Sequence, residues 1–401
     1  MMGKFILSLL LAGFAVGAAR AETGAAESSL TLRGFGTLGL ARSSSDHAEF
    51  VRDLSQPVGI KGGQWSGRID SVLGLQANWE ATPEIELVGQ MVSRLHYDRS
   101  HNPELMWAFA KWEPDPRLTF RGGRIGADFM MLADSRLVGY SYLTVRPPTD
   151  FFGPLFFSHF DGADVSGTLP FGNGLIRGKL FAGKTDEKSA GTLGVWDTSG
   201  SPVRGLVLDY VTGPWNVRLN SARIRFAADM NLSPLTTLLR TFGGDAAADS
   251  LLTEGRTSRY LSLGVVYDHG PLLLQGMLNR IRHDSAAFQN SRAGYLLAAY
   301  RVGSVTPFIG MSRWKSQPHE NLPVVGTAWL DEEYQRFVAG SKIDRTTYSL
   351  GARWDIRHHM ALKFQLDAVR ASPDTAFSFA NVTSDWNGKT DVLSVTLDFV
   401  F

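Results

Sequence analysis

The chain has no cysteine, and its apolar runs are too short for a helical membrane span. Without cysteine there is no disulfide framework, no thiolate metal site and no thiol nucleophile. A helical span needs about 20 mostly apolar residues in a row, and only residues 5–19 approach that. Charge is scarce and balanced: 20% of residues are charged, 40 basic against 39 acidic, which gives no reason to expect nucleic acid as a partner. Disorder is excluded from the other side, because 44% of the residues are apolar and 11% aromatic. A mean hydropathy of −0.07 then fits either a β-rich globular chain or a membrane chain whose apolar residues alternate with polar ones.

The N-terminus reads as an export leader. Met1-Met2-Gly3-Lys4 supplies a basic tip and Phe5 to Ala19 a short apolar core. Ala19-Arg20-Ala21 supplies small residues at −3 and −1 of a cleavage site after Ala21. Residues 1–21 are therefore expected to be a signal peptide and 22–401 a single domain. Cleavage would remove Lys4 and Arg20 from the 40 basic residues, leaving 38 against 39 acidic.

From Leu30 onward, segments of roughly ten residues alternate apolar and polar, as strands do with one face in oil and one in water. Between Arg68 and Trp79, Ile69, Leu73, Leu75, Ala77 and Trp79 share one face, and Arg68, Asp70, Gln76 and Asn78 the other. Ile85, Leu87, Gly89 and Met91 likewise oppose Glu86, Gln90 and Arg94, and Tyr348, Leu350, Ala352 and Trp354 oppose Ser349 and Arg353. Such alternation also fits a soluble sandwich; the gaps between segments decide otherwise. Seven short turns, such as Ala81-Thr82-Pro83-Glu84 and Phe171-Gly172-Asn173-Gly174, alternate with eight longer connections. These are 43–66, 98–103, 127–160, 186–202, 227–258, 283–291, 315–345 and 371–390. The pattern predicts an all-β fold: a transmembrane, antiparallel, up-and-down barrel of about sixteen strands with both termini at the short-turn end.

Aromatic placement supports this reading. Trp79, Trp112, Phe171, Tyr210, Trp215, Tyr267, Tyr300 and Trp354 lie near the short turns and are expected to form an interfacial girdle. Tyr97, Trp107, Trp314 and Tyr348, near the long loops, are expected in the opposite one. The last segment alternates Leu393, Val395, Leu397, Phe399 and Phe401 with Ser394, Thr396 and Asp398, and the chain stops on Phe401. Leu397, Phe399 and Phe401 resemble the C-terminal signal by which the barrel-assembly machinery recognises its substrates.

The sequence as a whole resembles the Gram-negative general porins. The likeness rests on Leu32-Arg33-Gly34-Phe35-Gly36, Leu73-Gly74-Leu75-Gln76, Gly123-Arg124-Ile125-Gly126, Asp161-Gly162-Ala163-Asp164-Val165 and the terminal Phe401. It implies a water-filled channel in the cell outer membrane for passive diffusion of small hydrophilic solutes and ions. It also implies a homotrimer among outer-membrane lipid and lipopolysaccharide, with no cofactor, no metal and no enzymatic chemistry. Segment 127–160 has the place and length of the family's third loop, which folds inward and narrows the pore. In the family, carboxylates on that loop face arginines on the wall, and the charges sort permeants. By resemblance Arg124 is the wall arginine at the constriction, with Asp150 as the facing carboxylate and Asp134 and Asp128 behind it. By alternation Arg33, Arg68, Arg94 and Arg121 extend the basic pore wall. Val72 departs from the family, which often has arginine there, so Arg68 is expected to replace it only in part.

Other motifs carry less. Gly34-Phe35-Gly36-Thr37-Leu38-Gly39 matches G-x-G-x-x-G but sits inside an alternating strand, with no strand-to-helix transition for a dinucleotide. These glycines are expected to permit close packing of walls, in the strand or between protomers. His358-His359 has no metal-ligand spacing. Ser233-Pro234 opens a short helix expected to pack against other loops. Two alternatives stay open: a solute-selective channel filtered by the aromatic-rich third loop, and a barrel enzyme with Ser, His and an acid gathered at one end.

Overall fold

A computed structural model describes residues 29–155, 157–191, 194–375 and 378–401. The cleavage site at Ala21 and the loop residue Phe156 lie outside the described residues. Sixteen strands close into one antiparallel barrel in which each pairs with its sequence neighbours and the last returns to the first. They are β1 (Ser29–Ser43), β2 (Val72–Thr82), β3 (Ile85–Ser93), β4 (Glu104–Asp115) and β5 (Leu118–Gly126). After the third long loop come β6 (His159–Phe171), β7 (Gly174–Lys184), β8 (Pro202–Thr212), β9 (Trp215–Arg225) and β10 (Thr257–His269). The barrel is completed by β11 (Leu272–His283), β12 (Asn290–Tyr300), β13 (Val305–Gln317), β14 (Asp344–Arg357), β15 (Met360–Ala371) and β16 (Lys389–Val400). Turns of two to four residues alternate with long loops throughout, as the gaps predict.

Period-two alternation explains the wall. Leu30, Leu32, Leu73, Leu75, Leu278, Leu296 and Leu350 point outward and stay exposed, while Thr37, Gln90, Ser262, Gln365 and Asp398 on the barrel's strands are buried inside. At the turn end the expected girdle is present on the outward face, with Trp79, Trp112, Phe171, Trp215, Tyr300 and Trp354 exposed. Neighbours pair across strands: Trp112 with Phe120 at 5.2 Å, Phe171 with Tyr210 at 6.1 Å and Trp215 with Tyr267 at 4.7 Å between ring centroids.

The opposite girdle does not form as expected. Only Tyr348 of the four candidates faces outward. Trp314 is buried inside, Trp107 packs beside the inward cluster of Phe35, Val92 and Met106, and Tyr97 belongs to the second long loop. Outward positions at the loop end instead carry arginine. Arg204 is paired in register with Arg223, Arg223 with Arg259, and Arg259 with Arg282. Arg280 is likewise opposite Arg292, and Arg292 opposite Lys315.

Barrel closure accounts for the glycine-rich first strand. Gly36 lies opposite Phe399, and a Cβ there would come within 2.4 Å of the Phe399 ring. A Cβ on Gly34 would come within 2.1 Å of the Phe401 ring, and the two residues exchange backbone hydrogen bonds of 2.7 and 2.9 Å. The glycines thus seat the terminal phenylalanines across the closing seam, a cross-strand covering of glycine by aromatic rings. Gly39 faces Asp70. These contacts lie within one chain.

The loops at the other end pack on one another. In the fifth long loop, α2 (Ser233–Thr241) and α3 (Asp245–Leu251) share an apolar cluster with α4 (Ala328–Ala339) of the seventh. The helix expected at Ser233-Pro234 is present and docks on other loops, burying Leu239, Leu251, Leu330 and Tyr334.

Candidate functional site

The third long loop, 127–158, folds into the barrel as its apolar content requires. Phe129, Met130, Met131, Phe151, Phe152, Leu155 and Phe157 are all buried and join one cluster with wall residues Phe160, Phe181, Val207, Tyr295, Phe308 and Trp314. Phe129 sits 5.0 Å from Phe157 and 5.1 Å from Phe181 between centroids. Phe151 meets Tyr295 at 5.2 Å. This seam runs along the inner face of β6 to β13.

A second seam, made of charges, holds the loop to β14–β16 and to the residues preceding β2. Arg146 is 1% exposed; it donates to Asp70 at 2.6 and 2.9 Å, to Asp367 at 2.9 Å and to Ser394 Oγ at 2.6 Å. Lys363 Nζ contacts Asp398 at 3.0 Å and donates to the carbonyls of Gly139 at 2.7 Å and Thr144 at 3.0 Å. Tyr140 Oη donates to the carbonyl of His358 at 2.7 Å, so the loop reaches the short-turn end. Two further arginines shape the loop itself. Arg136 donates to the carbonyls of Leu155 and Phe157 at 2.8 and 3.1 Å, and Arg52 of the first long loop to the Arg136 carbonyl at 2.6 Å.

Against this geometry the expected site residues separate. Asp150, in the first turn of α1 (Thr149–Phe152), does not face the pore. It is fully buried, 2.6 Å from Arg345 Nε and accepting from Ser312 Oγ at 2.7 Å. Its role is to anchor the loop, because a carboxylate without solvent needs partners on both oxygens. Asp128 is bound to wall cations, 2.5 Å from both Lys179 and Arg218. Asp134 remains exposed inside the barrel and has no ion pair among the described residues. Enclosure by the surrounding protein, reinforced by Asp128, raises its pKa above the ordinary carboxylate value.

Arg124 is on the wrong face for a constriction. It is paired in register with Ala108, and Arg121 with Lys111, without a bulge between them. Three steps along an uninterrupted strand reverse the side, so Arg121 and Arg124 cannot both face inward. Arg124 points outward near the loop end and binds Asp161 at 2.8 Å and Asp186. Arg121 faces inward, in a bidentate pair with buried Asp164 at 3.0 and 2.5 Å, and its guanidinium lies 5.3 Å from the Phe109 ring centre.

Arg68 is exposed in the first long loop, since β2 begins only at Val72. The alternation read between Arg68 and Trp79 fails in its first residues: Ile69 is 2% exposed and Asp70 is 1% exposed inside the barrel. Arg94 lies just past β3 and points inward but is buried, donating to Ser55 Oγ at 3.2 Å. Arg33 faces inward and is exposed near the turn end of β1. Arg33, Arg121 and Asp134 are therefore the expected residues left on the open lumen, while Asp150 and Asp128 tether the loop. The residues that the sequence did not single out for the site are Arg146, Arg345 and Lys363, with Asp70, Asp367 and Asp398. Alternation does mark Lys363, Asp367 and Asp398 as inward, but nothing local pairs them with a loop over 200 positions away in sequence.

At the loop end, between the inward loop and β8–β13, lies a cavity of about 500 Å³. Ser258 Oγ and His283 Nδ1, both on its lining, are hydrogen-bonded at 2.7 Å. The neighbouring Asp284 is bound instead to the outward Arg259, at 2.5 Å. Among the described residues no carboxylate is hydrogen-bonded to His283, so a Ser-His-acid triad is not assembled there.

No family model and no curated protein matches the sequence. Solved structures do match the fold. OmpF of Salmonella typhi, in complex with daunomycin, aligns over 93% of this chain and 97% of its own with a TM-score of 0.58 and 12% identity. An anion-selective porin from Comamonas acidovorans aligns over 94% of this chain and 100% of its own, with a TM-score of 0.54 and 14% identity. The outer-membrane channel DcaP of Acinetobacter baumannii covers 93% and 97%, with a TM-score of 0.54 and 12% identity. The fold of this chain is accordingly the closed sixteen-stranded porin barrel with the third loop turned inward.

Proposed function

We propose that the protein is an outer-membrane channel through which small hydrophilic solutes and ions diffuse passively, without chemistry. The observation that carries this reading is the inward loop inside a closed barrel whose outer face is apolar and girdled by aromatic rings. No energy-coupling element is needed, because the fixed lumen groups Arg33, Arg121 and Asp134 act only on what passes. Recording the purified protein in planar bilayers tests it: steady conductance steps are expected, and their absence would overturn the reading. Esterase and peptidase assays are expected to stay at background.

The surroundings follow from the outward face. Arg204, Arg223, Arg282 and Arg292 have no acidic partner among the described residues, although each lies opposite another cation. Like charges directly opposed on a sheet repel, and anionic headgroups of lipopolysaccharide would relieve them. Export by a signal peptide cleaved after Ala21, recognition of Leu397, Phe399 and Phe401 by the barrel-assembly machinery, and assembly as a homotrimer belong to the same reading. Mass measurement of the native protein checks the last.

One observation favours solute selection over general diffusion. A large apolar cluster of aromatic and aliphatic side chains joins the inward wall of β6–β13 to the loop against it.

A further inference from the structure

The 500 Å³ cavity at the loop end is large enough for a drug-sized molecule. Phe129 and Met130 of the inward loop line it together with Tyr260 and Trp314 of the wall, and Trp196 and Phe288 belong to the loops beside them. Trp196 and Phe288 are 5.2 Å apart, leaving ring faces and edges suited to a further ring.

Two features give this apolar chamber a chemical preference. Trp314 is 4% exposed and its indole Nε1–H has no acceptor within the described protein. A buried donor of this kind is normally satisfied, so it calls for an acceptor from a guest. Among the described residues the lining holds no aspartate or glutamate, while Arg99, exposed in the second long loop, is a lining cation without an ion pair. Arg259 is engaged by Asp284, and Arg223 projects from the outward face. An acceptor that is also negative is therefore preferred over a cation, and the rings select an apolar body.

We infer that this chamber binds small aromatic carboxylates, with the ring against Phe129, Trp196 and Phe288 and an acceptor oxygen toward Trp314 Nε1. The inference rests on the channel reading above, because it names the class of solute the vestibule gathers. The charge-neutral stem between ring and carboxylate would lie over Met130 and Tyr260, where no charged group competes.

Isothermal titration of the refolded barrel with 4-phenylbutyrate, butyrate and 4-phenylbutylamine tests it. Saturable binding of 4-phenylbutyrate is expected, at least tenfold tighter than either comparator. Trp314→Phe keeps an aromatic ring at this position but removes the N–H with part of the indole, so it should weaken 4-phenylbutyrate about tenfold. Should that variant fail to fold, Arg99→Gln on the exposed loop is the second probe and should weaken the carboxylate severalfold without affecting any binding of the amine. Equal affinity for all three probes, or unchanged binding in the folded variants, would overturn the inference while leaving the channel reading standing. Selective binding by a protein that shows no conductance would remove the channel reading alone.

Discussion

The inward loop meets the barrel along two seams that hold it by different physics. On β14–β16 the contacts are charges: Arg146 between Asp70 and Asp367, Arg345 on Asp150, and Lys363 on Asp398. On β6–β13 they are mainly rings and aliphatic chains around Phe129, Phe151 and Phe157, with one charged tether, Asp128 on Lys179 and Arg218. Buried ion pairs add little net stability but are directional, and losing one partner strands a charge. Apolar contacts add stability in proportion to area and tolerate gaps. The charged seam therefore fixes where the loop lies, whereas the apolar seam leaves room for a cavity. A narrowing element pinned on one side and packed more freely on the other lets selectivity change without loss of the scaffold.

Breaking the charged seam should have the largest effect. Arg146→Met leaves Asp70 and Asp367 buried without their cation and should cost about 3–5 kcal/mol, read as a lower urea midpoint, with noisier single-channel currents as the loop detaches. An unchanged midpoint would mean that the seam does not hold the loop. Phe129→Ala on the apolar seam should cost about 3–4 kcal/mol by the same assay, and should widen the pore without altering the sign of its ion preference.

Asp134→Asn should leave stability nearly unchanged and move the reversal potential in a salt gradient toward that of the anion. Because enclosure and Asp128 raise its pKa, Asp134 takes up a proton at a higher pH than an ordinary carboxylate. Acidification should therefore reduce cation preference early in the wild type, and the variant should lack that first step. A reversal potential independent of both substitution and pH would place Asp134 off the ion path. The smallest effect is expected from Arg124→Ala. Its pair with Asp161 is exposed on the outer face, so the cost should be below about 1 kcal/mol, with conductance unchanged. A large loss there would erase the distinction between buried and exposed pairs.

The barrel was legible in the sequence because each strand states its own faces. Leu73, Leu75 and Trp79 announce an outward side without reference to the rest of the molecule, and the girdle of Trp112, Trp215 and Trp354 follows from their nearness to turns. The constriction was legible only in part. Asp150 looked free because its partner Arg345 lies 195 positions on, and Arg124 was assigned by a motif although Arg121 three residues earlier already claimed the inner face. Trp314, first placed in a girdle, turned out to line the chamber.

Local period and turn chemistry thus determined the strand number and the sidedness of the wall, since these depend on neighbours in sequence, while the inward loop was implied by the resemblance to the porins. Which charges are spent as tethers and which stay open to the lumen was decided by tertiary structure alone. Burial and pairing join residues hundreds of positions apart, and a side chain's own strand carries no record of the partner that crosses the barrel to meet it.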